Sequence, residues 1–440
     1  PEGGAILRDD NGDPTGVLVD TAAWNAQRKL YGQLPPKLIA RAILTAQQRA
    51  LSYGITAMGD NTFYPDHAAQ YERLSAAGRF VMRAALRSYG KVRDTRFLMR
   101  QTGVDFFGNR DDRLTYFGDK YFMDESLSVS TYDEGRKPGV VPGGRPEYEV
   151  EEVKDLLLYA GRYGTAFHVQ GRKGAQRIVD ARMQVRDRRG GANPDVIDHC
   201  GSCGGDLAGE IREAGLSVTL LPGQLHELPQ LTAAYGSEIM EDVLQFRQLF
   251  DAGVNPALTS DWPFGSPPHS EGGSRDFHRL GLAPFSGIAV SVLGKGPDGQ
   301  SIPGAEARTI PLTQALAGYT TNGAAAIGRA HDLGRIEPGF HADFIVLPTS
   351  PFGPESARLY DLEVDAAYIG GRRVWDRADP AVGVGSFEPA SAAGDFASTP
   401  TGWTPSPIIG YDPVPGLILG AALFVYPYRA DGLLGNVQLM

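Results

Sequence analysis

TAFHVQG (165–171), DVIDHC (195–200) and NPALTSDWP (255–263) are the stretches whose reading decides the fold. Each is a short apolar run that closes on a ligand-type side chain, His168, His199 or Asp261, and then passes through turn-forming residues into a helix-like segment. A strand that ends in a functional residue and is followed by a helix is the repeating unit of a (β/α) barrel, which assembles its site at the C-terminal ends of its strands. Two imidazoles and a carboxylate are donor types that suit a zinc ion and leave a position open for water.

Four more strand-like runs bring the number to seven: ITAMGD (55–60), FVMRAALRSY (80–89), LTYFGDKYFM (114–123) and LSVTLL (216–221). Helix-like stretches alternate with them. PPKLIARAILTAQQRALSYG (35–54) opens on proline, carries Leu38, Ile39, Ala42, Ile43 and Ala46 at helical spacing, and stops at Gly54. EYEVEEVKDLLLYAGRYG (147–164), RKGAQRIVDARMQVRDRR (172–189), GDLAGEIREAG (205–215), SEIMEDVLQFRQLFDAG (237–253) and TIPLTQALAGYTTNGAAAIGRA (309–330) read as further helices. Such alternation predicts an α/β fold with a parallel sheet: a TIM (β/α)8 barrel over residues 1–330 that lacks its first strand, expected upstream of Pro1.

ADFIVL (342–347) and AAYIGGRRVWD (366–376) predict part of a small β-sandwich accessory domain at 331–379, with a Gly/Pro/Ser-rich loop at 263–275 before it. The Ala/Ser/Gly/Pro-rich stretch 380–405 has linker composition. Both ends of the chain read as cut rather than natural.

With 440 residues and 42% hydrophobic content, the chain can bury a barrel-sized core. A formal charge of −10 lacks the basic excess of a nucleic-acid binder, so nucleic acid is not an expected partner. The two cysteines, Cys200 and Cys203, form C-x-x-C directly after His199. They read as a redox pair, half a zinc knuckle, two small loop residues, or a disulfide.

Taken together, these features resemble the amidohydrolase superfamily, in particular the branch of metal-dependent hydrolases that includes the N-substituted formamide deformylases (amidohydrolase family 3). The resemblance covers residues 1–376 and is carried by PEGGAILRDDNGDPTGVL, KYFMDES, FHVQG, DH, SDWP and LGRIEPGFHADFIVL. It implies that His168 and His199 bind a divalent metal, zinc by donor type, and that Asp261 both binds it and shuttles protons. It also puts Lys120 where related enzymes carry a carboxylated lysine bridging two metals, so one or two ions are implied. His226, just past the seventh strand, is a candidate substrate contact or oxyanion donor.

The chain departs from the family pattern in three places. HVQGR replaces His-x-x-Gly-Asp, which puts Arg172 where an acid is usual and suits an anionic substrate. MDES replaces Asp-Gly after the fourth strand, and no His-x-His pair occurs among the histidines; either the pair lies on the strand expected upstream of Pro1, or the protein is not a working hydrolase.

The expected activity is hydrolysis of a non-peptide carbon–nitrogen bond in a small-molecule amide, N-acyl or N-formyl amine. The segment 406–440, with PSPIIGYDPVPGLILGAALFVYPYR, resembles the opening of bacterial surface-antigen outer-membrane barrels, although a strand pair covering the accessory domain accounts for it equally. The barrel reading carries an alternative: a catalytically silent amidohydrolase-like domain fused to an outer-membrane barrel, acting as a periplasmic binding or assembly module. The compartment is periplasm or outer membrane on that reading and cytoplasm otherwise.

Overall fold

The seven apolar runs become seven strands of one parallel sheet. The computed structural model describes residues 4–20, 22, 26, 34–62, 65–89, 113–124, 148–161, 163–191, 193–262, 281–379, 423–425 and 437–439. The loop expected at 263–275, the linker at 380–405 and most of 406–440 lie outside the described residues. The chain divides into two compact units, residues 1–46 with 388–440, and residues 47–387.

In the first unit, β1 (Gly4–Arg8) and β2 (Pro14–Asp20) pair antiparallel. Their turn is closed by the Asp9 carboxylate, which accepts from the Asn11 and Asp13 amides at 2.9 and 3.0 Å. This is the local bond that makes Asp a turn former.

The second unit holds β3 (Ala57–Thr62), β4 (Arg83–Tyr89), β5 (Leu114–Phe122), β6 (Gly164–Val169), β7 (Val196–His199), β8 (Ser217–Leu220) and β9 (Ala257–Leu258). They pair in chain order, every pair parallel. α1 (Pro36–Ser52) precedes β3 in the chain, and α2 (Pro65–Ala76), α3 (Val150–Ala160), α4 (Arg172–Gln184) and α5 (Asp206–Ala214) come between strands. α6 (Leu228–Tyr235) and α7 (Phe246–Asp251) separate β8 from β9, and α8 (Pro284–Leu293) follows β9.

Local chemistry sets the helix ends. The Glu149 amide donates to Glu152 at 2.8 Å in a capping box that starts α3. Gly215, at φ +68°, ends α5 in the left-handed cap that glycine favours. Leu207, Ala208, Ile211 and Ala214 form the buried stripe of α5. Gly174 lets α4 approach β6, because a Cβ there would stand 2.7 Å from Val169 Cγ2.

Both faces of the sheet are buried, which is why its strands read as apolar runs rather than as alternating ones. Phe167 and Val169 join the large core shared with Val153, Leu157, Ile178 and Leu207. On the opposite face Ala85, Phe117, Ala166 and Val196 form a separate small cluster.

Two expected helices are broken. Residues 237–253 form a 3-10 turn (Ser237–Glu241) and then α7, because Leu244 turns left-handed at φ +52° and its amide donates to Gly201 O at 2.8 Å. Residues 309–330 split at Thr320 (φ −120°, ψ −92°) into α9 (Leu312–Tyr319) and α10 (Thr321–Ala326). Thr320 Oγ1 donates back to Leu316 O at 2.8 Å, a competing bond of the kind that bends helices.

Three antiparallel strands, β10 (Phe344–Val346), β11 (Ala366–Ile369) and β12 (Arg372–Asp376), form the accessory sheet. Gly370 and Gly371, at φ +59° and +75°, supply the two left-handed residues of its tight hairpin. In the first unit β13 (Leu423–Val425) and β14 (Val437–Leu439) pair antiparallel. No helix among the described residues is long and apolar enough to cross a membrane.

The accessory sheet is tied to the N-terminal end of β4 by a buried fork. Arg83 donates to both Asp343 oxygens at 2.6 and 3.1 Å, and the Gly370 amide donates to the same carboxylate at 2.8 Å. Replacing Asp343 by Ala strands a buried guanidinium and should remove about 3–5 kcal/mol of stability in urea unfolding. A loss under about 1 kcal/mol would mean the fork contributes no net stability.

Candidate active site

Strand register decides which side chains meet. Lys120 pairs with Ala166, Phe122 with His168, and His168 with Asp198. Paired residues of neighbouring strands share a face, so Lys120, Phe122, His168 and Asp198 line the face that also carries Ala166 and Val196.

A bulge brings Lys120 onto that face. Leu86 pairs with Tyr116 but Arg87 pairs with Gly118, so Phe117 is an extra residue in β5 and the alternation slips by one. Gly118 is required there: a Cβ would lie 1.9 Å from the Gly164 carbonyl oxygen. Past the bulge Asp119 faces outward and accepts hydrogen bonds from Ser88 and Tyr116, while Lys120 faces in.

Asp198 is the hub of the cluster. One carboxylate oxygen accepts from Lys120 Nζ and lies 3.3 Å from Arg87 Nη1; the other accepts from Thr219 Oγ1 at 3.0 Å. The Arg87 guanidinium also lies over the Phe117 ring, 4.3 Å from its centroid. Burial pushes the Asp198 carboxyl up, but the charges of Lys120 and Arg87 outweigh it and hold the group far below the usual carboxylate range. Burial lowers both Lys120 and Arg87, with Asp198 opposing. Two buried cations therefore share one ionised carboxylate.

By alternation His199 should face away from Asp198, its chain neighbour. It does not, because the strand breaks there. His199 sits at φ +77° and Cys200 at φ +47°, a left-handed pair of non-glycine residues, each costing about 1–3 kcal/mol. The turn brings the His199 ring edge-on to His168, with centroids 4.5 Å apart, and its Nδ1 to 3.9 Å from Asp261 Oδ2. Asp261, just beyond β9, is itself left-handed at φ +46°. His168 stacks on Phe122 at 4.7 Å.

His199 is 5% exposed, and among the described residues its Nδ1 has no hydrogen-bond partner. Burial, then His168 and Lys120, drive its pKa well below the usual imidazole value, so the ring is neutral. Burial raises Asp261 to about 7, with Lys120 pulling it down and Asp198 pushing it up. A buried, neutral imidazole with an orphaned nitrogen beside a carboxylate fits the donor chemistry of a divalent metal. Among the described residues, no group of three or more His, Cys, Asp and Glu closes tightly enough to hold an ion by itself.

The structure thus brings Lys120, His168, His199 and Asp261 together. Arg172 is engaged elsewhere, donating to Gly204 O at 2.8 Å, pairing with Asp206 and lying 3.6 Å from Asp242. His226 lies in the 3-10 turn Pro222–Glu227 beyond β8, and burial lowers it to about 4 with Asp298 opposing. Arg87, Asp198 and Thr219 are the members that sequence reading missed. Their signal was faint but present: charged or polar residues inside runs otherwise apolar enough to be buried. Cys200 and Cys203 form a disulfide.

The model of the amidohydrolase family matches residues 1–375. An N-substituted formamide deformylase of Arthrobacter pascens is 26% identical over 389 residues, covering 86% of this chain and 68% of the relative. The putative amidohydrolase YtcJ of Bacillus subtilis is 24% identical over 392 residues, covering 86% and 69%. A crystal structure of an uncharacterized metal-dependent hydrolase from Pyrococcus horikoshii OT3 superposes with a TM-score of 0.62 at 20% identity, covering 79% of this chain and 66% of that one. That likeness establishes the shared fold. The chain spans about two thirds of the length of these relatives.

Two outcomes follow from the electrostatics. Asp198→Asn leaves Lys120 and Arg87 without their counter-charge and should destabilise the protein by about 3–5 kcal/mol in urea unfolding; an unchanged midpoint would remove Asp198 from the centre of the network. Burial raises Glu227, beside His226, from 4.5 to about 7. Its contribution to stability is full below pH 4.5 and is lost as pH rises through about 7. His226 acts in the opposite sense, with its share lost as pH falls from 6.5 through about 4. Glu227→Gln should therefore lose less stability than the parent between about pH 5 and about pH 7.5, and equal slopes would show that Glu227 is not buried as a neutral acid.

Proposed function

The chain belongs to the amidohydrolase family, and from that premise we propose that it hydrolyses carbon–nitrogen bonds other than peptide bonds. The substrate is a small N-acyl or N-formyl amine or a cyclic amide. The observation that carries this reading is the buried Nδ1 of a neutral His199, without a hydrogen-bond partner among the described residues, 3.9 Å from Asp261 and beside His168.

His168, His199 and Asp261 are the residues that would hold a divalent cation, zinc by donor type. Such an ion, when bound, supplies a Lewis acid and lowers the pKa of its water toward ~7. Asp261, poised near neutrality by burial, is suited to take a proton from the attacking water and return it to the departing nitrogen. No nucleophilic Ser or Cys is needed on this route.

Lys120 determines the metal count. As an ammonium paired with Asp198 it would leave a single-metal site; as a carbamate it would be able to serve a second ion, and it would first have to release Asp198, whose remaining partner would be Arg87. Arg172 and His226 are the proposed substrate contacts, and Arg172 would engage an anionic group by exchanging it for Asp206.

Elemental analysis of the intact protein and of a His168→Ala/His199→Ala variant tests the site. One or two zinc equivalents per chain are expected in the parent and none in the variant, and an added mass of one carbon dioxide distinguishes the carbamate. Asp261→Asn should lower kcat on an N-formyl or N-acyl amine by about 10²–10⁴. No zinc in the parent even after reconstitution would overturn the proposal.

A further inference from the structure

His199 and Cys200 hold a left-handed conformation at a strand end where plain alternation would turn the imidazole away from His168. What keeps the chain there is visible in the next five residues. The Cys200–Cys203 disulfide closes a tight loop, and both cysteines are only 1% exposed.

This loop is wedged between the ends of two other elements. Gly201 lies so close to Gln170 that a Cβ would meet its Oε1 at 2.2 Å, and Gly201 O accepts from the Leu244 amide at 2.8 Å. Gly204 O accepts from Arg172 at 2.8 Å, and the Gly205 amide donates to Gln248 at 2.6 Å. The facing turn is fixed in its own right: Asp124, two residues past β5, accepts from the Gln170 and Gly171 amides at 2.8 and 2.7 Å. The loop after His199 is thereby pressed onto the turn that follows His168, and each turn limits where the other can go.

We propose that the Cys200–Cys203 disulfide is a positioning element: it locks the left-handed turn that swings His199 inward, and so sets the spacing of the two histidines. Opening the disulfide frees that turn, letting His199 relax toward the outward face and loosening the Gln170–Arg172 turn against which the loop rests. The functional consequence rests on the metal-dependent reading above, whereas the coupling of the two turns does not.

Three forms of the whole chain test this: the parent, the parent opened by a phosphine that supplies two electrons while water supplies two protons, and Cys203→Ser. Unfolding the parent without reductant should expose no reactive thiol. In both opened forms, hydrogen exchange of amides in 165–171 and 196–205 should rise about tenfold or more, while 83–89 stays unchanged. Co²⁺ should bind the opened forms about tenfold more weakly, with altered visible absorption bands.

Two free thiols in the unreduced parent would overturn the proposal. So would opened forms that only melt lower, with exchange at 165–171 and the Co²⁺ spectrum unaltered. Failure of Co²⁺ to bind any form would count against the metal reading instead, and the exchange result would still judge the coupling.

Discussion

Asp198 takes hydrogen bonds or charge from three strands besides its own: Arg87 on β4, Lys120 on β5 and Thr219 on β8. Parallel strands are already joined by their ladders, so this convergence is not needed to build a sheet. A buried ion pair is a poor source of net stability, because desolvating the charges offsets most of their attraction. What it does supply is geometry. A shift of β4 or β5 relative to β7 separates a buried cation from the carboxylate it shares, and a shift of β8 breaks the Thr219 bond, so the network resists slippage that apolar contacts alone would tolerate.

The same hub biases the groups above it. With Asp198 ionised against two cations, one surplus positive charge remains beneath His199 and Asp261. That surplus disfavours a protonated His199, adding to burial. It draws Asp261 toward its ionised form, while burial and Asp198 push the other way. A neutral imidazole beside a carboxyl that titrates near neutrality is the result of these opposed influences, and no contact between the two is needed to produce it.

Much of this was legible in the chain and some was not, for reasons that particular residues make plain. Apolar runs bounded by turn residues identify strands well when both faces are buried, and all seven runs, FVMRAALRSY and DVIDH among them, hold strands in chain order. His168, His199 and Asp261 stand out because ligand-type side chains end those runs. Asp198 and Arg87 do not stand out, since each sits inside a strand reading and has meaning only through a partner far away in sequence. The breaks at Leu244 and Thr320 were equally hidden. Helical periodicity continues through both positions, and it is a tertiary bond to Gly201 O in one case and a side-chain bond to Leu316 O in the other that interrupts the helix. Neither the bulge at Phe117 nor the left-handed turn at His199 has a period to detect, yet these two departures from alternation turn Lys120 and His199 inward.

The charge carried by Lys120 therefore decides more than its own role. As an ammonium it makes the floor of the site a net cation, and on the proposed reading Asp261 and the two histidines would then hold one metal. As a carbamate it would carry negative charge beside Asp198, with Arg87 the only remaining counter-ion among the groups now on that carboxylate. Two like charges at that depth are unfavourable unless a cation comes between them. On the proposed metal-dependent reading, carboxylation of Lys120 and a second metal ion would therefore be one event rather than two, and the bulge that turns Lys120 inward would serve either state.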